Sequence, residues 1–231
     1  VVQRIGQLLR AGAIGTVNYA LAHNAHSGPE QILEFEWYSD PTWFYKEGSG
    51  PLLDLGVYGL HTLTGLLGPA KAVSAMMGRS RQQRIVRTGP WKGKVIDVEV
   101  PDMALLTLDF GNDTLAFEDS GWAVRAAKGP SLQIFGTDGT IVMNERGAAH
   151  PISLWRDDEQ HNVWGWMEID LPPSTPRWSL PMGAEHLIDC ILDPAKPVIT
   201  SREHARHVIE IMSMGPVAAQ EGRAIPLETV F

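Results

Sequence analysis

The sequence contains a single cysteine, and this excludes two kinds of site. Cys190 has no second cysteine with which to form a disulfide or a thiolate metal cluster within the chain. Its neighbours, LIDCIL, predict a helical core position, where apolar surroundings raise the pKa of a thiol and leave it unreactive. The eight histidines form no recognised metal-binding motif. We therefore expect neither a catalytic cysteine nor a metal site.

Long apolar runs and dense basic runs are also missing. No run approaches the roughly 18 apolar residues of a membrane span, and no signal-peptide pattern opens the sequence. A net charge of -8 without a Lys/Arg cluster argues against nucleic acid or an anionic membrane as a partner. The 231 residues are 44% hydrophobic, enough for a sizeable core. We expect a soluble, cytoplasmic domain whose partner is a small molecule.

A phosphate-binding loop is absent as well. The sequence has no G-x-G-x-x-G run, no P-loop and no alternation of strand and helix typical of dinucleotide-binding folds. Any nucleotide must therefore be held by a domain or a protein that this sequence does not contain. The chain opens with Val1, and the helical spacing of Val2, Ile5, Leu8 and Leu9 begins at once. We expect this to be part of a longer gene product.

What the sequence does contain is a long series of strand patterns. Alternating apolar residues predict a first strand over 17–23, and turn signals such as Gly111-Asn112-Asp113 separate several later ones. The later predicted strands cover 73–77, 84–87, 103–110, 114–120, 132–135, 140–143, 152–155 and 166–171. These strands predict an α+β fold, a large, open, mostly antiparallel sheet with helices packed on one face.

The last quarter is predicted to be helical. Residues 180–192 carry an apolar side, and Ser201 is a natural N-cap for a second helix. Pro216 lies inside that second pattern, so a kink or break is expected near Gly215. Residues 224–227 would finish the chain as a short edge segment.

The segment from 24 to 50 is irregular and rich in aromatic residues. Long loops in compact domains more often carry functional residues than not. A loop that merely covers the sheet edge is the alternative. Its aromatic residues are Trp37, Tyr38, Trp43, Phe44 and Tyr45.

The run from 51 to 67 predicts a helix that follows a glycine-rich turn. At 100° per residue, Asp54, Tyr58 and His61 fall within roughly a 60° arc. Tyrosine, histidine and aspartate can relay a proton to or from a substrate hydroxyl. The alternative is that Asp54 complements the helix dipole, Tyr58 is a satisfied aromatic and His61 is a surface residue. A separate apolar stripe is predicted to bury this helix against the sheet: Leu53, Val57, Leu60, Thr64 and Leu67.

These residues resemble a known family. The segment GSGPLLDLGVY at 48–58, followed by LLG at 66–68, resembles the G-G-G-x-L-x-D-x-G-x-H/Y helix of the Gfo/Idh/MocA oxidoreductases, two-domain NAD(P)-dependent enzymes acting on sugars and polyols. Weaker similarities at 11–15, 135–140 and 196–227 follow the family's order. The resemblance implies that residues 1–231 form the C-terminal domain, an open sheet that supplies substrate contacts and often the oligomer interface.

The resemblance also implies roles for two residues. The family's catalytic aspartate matches Asp54, and its acid/base histidine matches Tyr58, as in the branches similar to glucose-fructose oxidoreductase and dimeric dihydrodiol dehydrogenase. The implied reaction is hydride transfer between a substrate hydroxyl carbon and NAD or NADP, with Tyr58 moving the proton. The family's E-K-P lysine is not matched, since Lys196-Pro197 follows Ala195 near the other end. We therefore expect the chain alone to be inactive, and its cofactor-binding residues cannot be assigned.

Five further residues are candidate substrate contacts, each with a packed or solvated role as the alternative. They are His61, Lys46, Trp43, His23 and His26. A rival function is a non-catalytic sugar-binding or oligomeric assembly module, in which Asp54 and Tyr58 only support the fold. In either case a homo-oligomer through the open sheet face is expected.

Overall fold

Strands with alternating apolar residues and four helices build a layered fold in this computed structural model, which describes residues 1–31, 40–145, 147–172 and 181–231. Its helices are α1 (Val2–Arg10), α2 (Val57–Leu67), α3 (Met182–Leu192) and α4 (Arg202–Glu221). Its strands are β1 (Val17–Ala25), β2 (Ala72–Gly78), β3 (Gln83–Ile85), β4 (Val95–Asp97), β5 (Met103–Gly111), β6 (Thr114–Gly121), β7 (Leu132–Gly136), β8 (Gly139–Met143), β9 (Ile152–Asp158), β10 (Val163–Ile169) and β11 (Ile225–Pro226).

Nine of these strands form one sheet, in the order β10-β9-β8-β7-β1-β6-β5-β2-β11. Strand β1 pairs in parallel with β6, whereas the neighbouring pairs β1–β7, β5–β6 and β2–β5 are antiparallel. Strands β3 and β4 form a separate hairpin. The prediction of a large, mostly antiparallel sheet is confirmed, and β11 is the predicted edge segment. The short strand β4 was not predicted.

Helices α2 and α4 cover one face of the sheet, as predicted. Leu60 on α2 and Ile211 on α4 are fully buried in one cluster with Leu106 and Leu108 of β5. Leu105 directly precedes Leu106 and points to the opposite face, because side chains alternate along a strand. No helix among the described residues covers the opposite face, and we call it the open face. Its exposed apolar residues include Tyr19, Met76, Leu105 and Leu115.

The chain enters α2 through a π-helical turn, Leu52–Gly56. A π turn closes its hydrogen bonds one residue later than an α turn, so it shifts the helical phase. Leu52 is buried, whereas Leu53 is 46% exposed. The predicted apolar stripe is correct from Leu60 onward and wrong at Leu53, because the prediction assumed an uninterrupted α-helical period.

Helix α4 begins as predicted and does not break. The Ser201 hydroxyl accepts a hydrogen bond from the His204 N–H at 3.1 Å. The helix continues through Pro216 to Glu221, so the predicted break near Gly215 is wrong. Proline removes one backbone donor, and the helix nevertheless continues, with Met212 and Ala218 buried on either side of it.

The predicted core role of α3 is also wrong. No residue of α3 is buried, and Cys190 is only partly covered, so its predicted core position is incorrect. Periodicity predicts an apolar side but does not show what covers it. The predicted start of this helix at Leu180 lies outside the described residues, as do Trp37, Tyr38 and residues 173–176. None of the helices in the described ranges is long and apolar enough to cross a membrane.

Candidate active site

Asp54 lies in the π turn and is held by a tryptophan. The indole Nε1–H of Trp122 donates a hydrogen bond to Asp54 Oδ2 at 3.2 Å. Burial raises the pKa of Asp54, while the Trp122 hydrogen bond and the nearby His26 act in the opposite direction. Asp54 is therefore a partly desolvated carboxylate with one fixed donor.

Tyr58 lies one turn further along, at the start of α2. Its side chain is 65% exposed, so most of its surface faces solvent. Its phenol makes no hydrogen bond to the described part of the chain, while its main-chain carbonyl accepts one from the Thr62 hydroxyl at 2.8 Å. The phenol is therefore free to meet a ligand.

A depression of about 440 Å³ adjoins Asp54. Trp43 forms part of its wall, is 53% exposed and stacks on Phe44 with ring centroids 3.7 Å apart. An aromatic face beside two carboxylates suits a small ring or chain that carries hydroxyl groups. The lining residues are Trp43, Phe44, Glu47, Gly48, Ser49, Leu53 and Asp54.

His26 is a neutral donor near the same carboxylate. Its Nδ1 accepts a hydrogen bond from the Gly28 N–H at 3.0 Å, so the neutral ring carries its proton on Nε2. Burial lowers the pKa of His26, with the carboxylates of Asp54 and Glu30 acting against that effect. Because Asp54 and His26 influence each other's pKa, the structure brings these two candidates together.

Lys46 and His23 already have other partners. Lys46 Nζ lies 2.5 Å from Glu99 Oε1, and it is not among the residues that line the depression. His23 Nδ1 lies 2.8 Å from Asp119 Oδ2. Since the flanking Ala22 lies in the helix-covered core, His23 belongs to the opposite face of the sheet.

His61 lines a larger cavity of about 1210 Å³ between α1, α2 and the start of α4. Its ring meets His204 with centroids 4.8 Å apart, and His204 stacks on Phe231. Burial is the main cause that lowers the pKa of His61 and takes that of His204 to about 4, so both rings are neutral at pH 7. Asp54 lines the smaller depression and not this cavity, so we place the candidate site at the smaller depression; Tyr58 lines neither. Within the described ranges, no cluster of three or more His, Cys, Asp or Glu could hold a metal ion.

Sequence reasoning missed a buried ion-pair cluster behind the site. The Arg84 side chain is 1% exposed, and it donates to Glu30 Oε1 at 3.1 Å and Asp102 Oδ2 at 2.6 Å. It also donates to the Trp122 carbonyl at 2.9 Å, and the Tyr45 hydroxyl donates to Glu30. These residues lie far apart in the sequence and on short or irregular segments, so no local pattern connects them.

Sequence reasoning also missed Glu118, which lies beneath α2. Its carboxyl is fully buried and accepts hydrogen bonds from Ser120 Oγ at 2.8 Å and Asn24 Nδ2 at 3.2 Å. A Cβ at Gly59 would lie 2.0 Å from Glu118 Oε2, so α2 approaches this cluster through a glycine. Burial raises the pKa of Glu118 to about 8. The alternation of β6 offered a signal, because it places Glu118 on the same face as the buried Ala116.

We expect Glu118→Gln to flatten the pH dependence of stability. The folded chain retains the Glu118 proton up to about pH 8, whereas the unfolded chain loses it near its ordinary value of 4.5. In this window the folded state binds more protons, so the free energy of unfolding falls as pH rises. Glutamine cannot ionise, and it still accepts from Ser120 and Asn24. Urea unfolding at pH 5, 6.5 and 8 measures the difference.

The exposed Glu159→Gln is the matched control, and its stability should follow that of the wild type at every pH. Parallel pH curves for Glu118→Gln and the wild type would show that Glu118 is ionised in the folded protein.

A family model described as the GFO/IDH/MocA C-terminal domain matches residues 2–142. The matched range contains Trp43, Asp54, Tyr58 and Trp122. No protein in the search of curated proteins matches the chain.

Several solved structures share the fold. Levoglucosan dehydrogenase in complex with NADH has a TM-score of 0.75 and 18% identity, over 97% of this chain and 62% of its own. An oxidoreductase from Agrobacterium radiobacter in complex with NAD+, L-tartaric acid and magnesium has a TM-score of 0.69 and 19% identity, over 97% and 61%. Aldose-aldose oxidoreductase from Caulobacter crescentus complexed with glycerol has a TM-score of 0.68 and 20% identity, over 98% and 60%. The chain thus spans less than two thirds of these proteins, and such identities show the fold alone.

Proposed function

This chain belongs to the GFO/IDH/MocA C-terminal domain family, and from that premise we propose that it is the substrate-side domain of an NAD- or NADP-dependent oxidoreductase. Its substrate would be a sugar, polyol or dihydrodiol, oxidised at a hydroxyl-bearing carbon. One observation carries the proposal: the partly buried Asp54 lines a depression with an aromatic wall, and the exposed Tyr58 lies one turn further along the same helical segment.

Tyr58 and Asp54 have different tasks in this reaction. Tyr58, in its phenolate form, would take the proton of the substrate hydroxyl while the hydroxyl-bearing carbon gives up its hydride, and the exposed phenol would then release that proton to solvent. Asp54, fixed by Trp122, provides negative charge beside that proton transfer. The bound nicotinamide ring supplies the acceptor for the hydride. The described residues offer hydroxyl-binding groups and no dinucleotide cradle, so the residues that hold the cofactor would lie outside this chain.

The depression beside Asp54 supports the substrate class. The exposed face of Trp43 can pack against the C–H side of a sugar ring, and Glu47 can accept hydrogen bonds from hydroxyls. His26 offers an Nε2–H donor near Asp54. Glycerol and L-tartaric acid, named with two of the similar structures, are small molecules that carry several hydroxyl groups.

A second function, assembly of a homo-oligomer, is favoured by the open face of the sheet. Tyr19, Leu105 and Leu115 are each more than 40% exposed there, on a face with no covering helix among the described residues. A non-catalytic sugar-binding or assembly module would use the same face. We propose that copies of the protein associate through this face and that they do so in the cytoplasm. The same oligomer would carry out the oxidoreductase reaction.

Turnover assays of the full-length protein test the proposed function. NAD and NADP are supplied separately with a panel of sugars, polyols and dihydrodiols, and nicotinamide reduction is followed by absorbance. We expect reduction with at least one of these classes. Calorimetry of the 231-residue chain alone should detect no cofactor binding.

Two results would contradict this function. Micromolar cofactor affinity of the isolated chain would show that the cofactor site lies within it. Sugar binding by the full-length protein without any nicotinamide reduction would favour the non-catalytic module. A continuous upstream reading frame that encodes G-x-G-x-x-G and E-K-P would support the enzyme.

A further inference from the structure

Trp122 connects Asp54 to the buried part of the domain. It directly follows β6, is fully buried, and donates its indole N–H to Asp54 Oδ2 at 3.2 Å. An indole nitrogen can only donate, so this hydrogen bond requires an oxygen acceptor on Asp54. The family's helix motif does not include Trp122, which lies 68 residues further along the chain.

The indole ring is fixed by aromatic neighbours. Tyr45 meets it edge-on with centroids 5.1 Å apart, and Phe44 does so at 5.9 Å. Edge-to-face contacts restrict rotation of the ring as well as burying it. The ring belongs to a small core cluster that is separate from the main core and consists of Phe44, Tyr45, Val86, Ile96, Val98 and Trp122.

The backbone of Trp122 is fixed as firmly as its ring. Its N–H donates to the Asp102 carbonyl at 2.8 Å, and its carbonyl accepts from Arg84 Nη2 at 2.9 Å. The same Nη2 donates to the Asp102 carboxylate at 2.6 Å, so the three residues form a closed ring of contacts. Movement of the Trp122 carbonyl would break a buried hydrogen bond to the Arg84 guanidinium, and movement of its N–H would break one to a main-chain carbonyl.

We propose that Trp122 is a positioning residue, which orients the Asp54 carboxylate through its indole N–H and is itself fixed by the Arg84–Asp102 pair. Its effect on turnover rests on the proposed function, whereas the hydrogen bond and its effect on Asp54 do not. Burial raises the pKa of Asp54, and the hydrogen bond from Trp122 offsets part of that rise because it stabilises the ionised carboxylate. The alternative is that Trp122 only fills space in the small cluster.

Trp122→Phe separates these two roles, because phenylalanine retains an aromatic ring and lacks the N–H. In the full-length protein, carboxyl carbon NMR should show the Asp54 titration moving to higher pH, since the charged form loses its donor. The acid limb of the pH–rate profile should move in the same direction. We expect kcat to fall about tenfold, as for loss of one hydrogen bond to a charged group, with a smaller change in KM.

Val98→Ala is the matched control, because Val98 is buried in the same cluster and makes no bond to Asp54. It should lower the unfolding midpoint and leave the Asp54 titration and the pH–rate profile unchanged. If both variants shift the Asp54 titration equally, or neither shifts it, Trp122 is a packing residue and the proposal is overturned.

A second measurement needs no variant of Trp122. In the otherwise unmodified protein, the Trp122 indole N–H resonance should follow the titration of Asp54, and Asp54→Asn should abolish that dependence. If the chemical shift of the Trp122 indole N–H does not change with pH in the unmodified protein, the proposal is overturned. This holds even if Trp122→Phe does not fold. Absence of turnover with every substrate would contradict only the proposed function, because both NMR titrations report on the hydrogen bond without catalysis.

Discussion

Tyr58→Phe in the full-length protein is expected to lower turnover by about 10²- to 10⁴-fold, the range that general acid–base groups contribute. The substitution removes one oxygen atom and retains the ring. Because the side chain is 65% exposed, the fold should be unaffected. Cofactor affinity should remain nearly unchanged, since the proposed role of the phenol concerns the substrate hydroxyl. Steady-state kinetics and cofactor titration measure the two quantities.

Tyr19→Phe is the control for this substitution. Tyr19 is also exposed, and it stacks on Phe135 on the open face of the sheet, on the side opposite α2. It should retain wild-type turnover. Wild-type turnover of Tyr58→Phe would exclude the proton-transfer role of Tyr58. Another group would then have to accept the proton of the substrate hydroxyl.

Arg84→Met is expected to lower the free energy of unfolding by about 3–5 kcal/mol, the usual cost of removing one partner from a buried ion pair. The carboxylates of Glu30 and Asp102 are fully buried and would lose their shared cation. Methionine fills a similar volume, so the loss would come from unpaired charge more than from a cavity. Urea unfolding at pH 7 measures the change, with the midpoint and slope reported separately.

Arg202→Met is the matched control, because Arg202 is 94% exposed in its side chain and its pair with Glu203 is a surface pair. Water screens such a pair, so Arg202→Met should leave the free energy of unfolding nearly unchanged. A combined variant, Arg84→Met with Glu30→Gln and Asp102→Asn, should recover part of the loss, since no buried charge remains. Equal unfolding free energies for Arg84→Met and wild type would show that water or movement neutralises the carboxylates.

Strands and the site helix were predictable because their signals are local. In β5, Ala104, Leu106 and Leu108 alternate with more exposed residues, and the Gly111-Asn112-Asp113 turn has the positive φ angles that such residues tolerate. Ser201 likewise identified the start of α4 through capping chemistry alone. Each of these features is determined by neighbours within a few residues.

Other features depend on contacts that no local pattern contains. The π turn at Leu52–Gly56 exposes Leu53 and places Asp54 against Trp122, an arrangement set by packing across 68 residues. Arg84 looked like part of an ordinary strand, yet its partners Glu30 and Asp102 come from distant segments. The apolar side of α3 was read correctly as a pattern and incorrectly as buried, since periodicity alone does not identify a covering surface.

The parallel pairing of β1 with β6 has a consequence for synthesis on the ribosome. Of the nine strands in this sheet β1 is synthesised first, yet both of its neighbours follow much later, with His23 opposite Asp119 and Leu21 opposite Gln133. At roughly 5–20 residues per second, β1 must wait on the order of 5–20 s for β6. During that interval its edges are unpaired, a state that invites pairing with other chains. The strand at the centre of the finished sheet is therefore the one most in need of protection while the protein is being made.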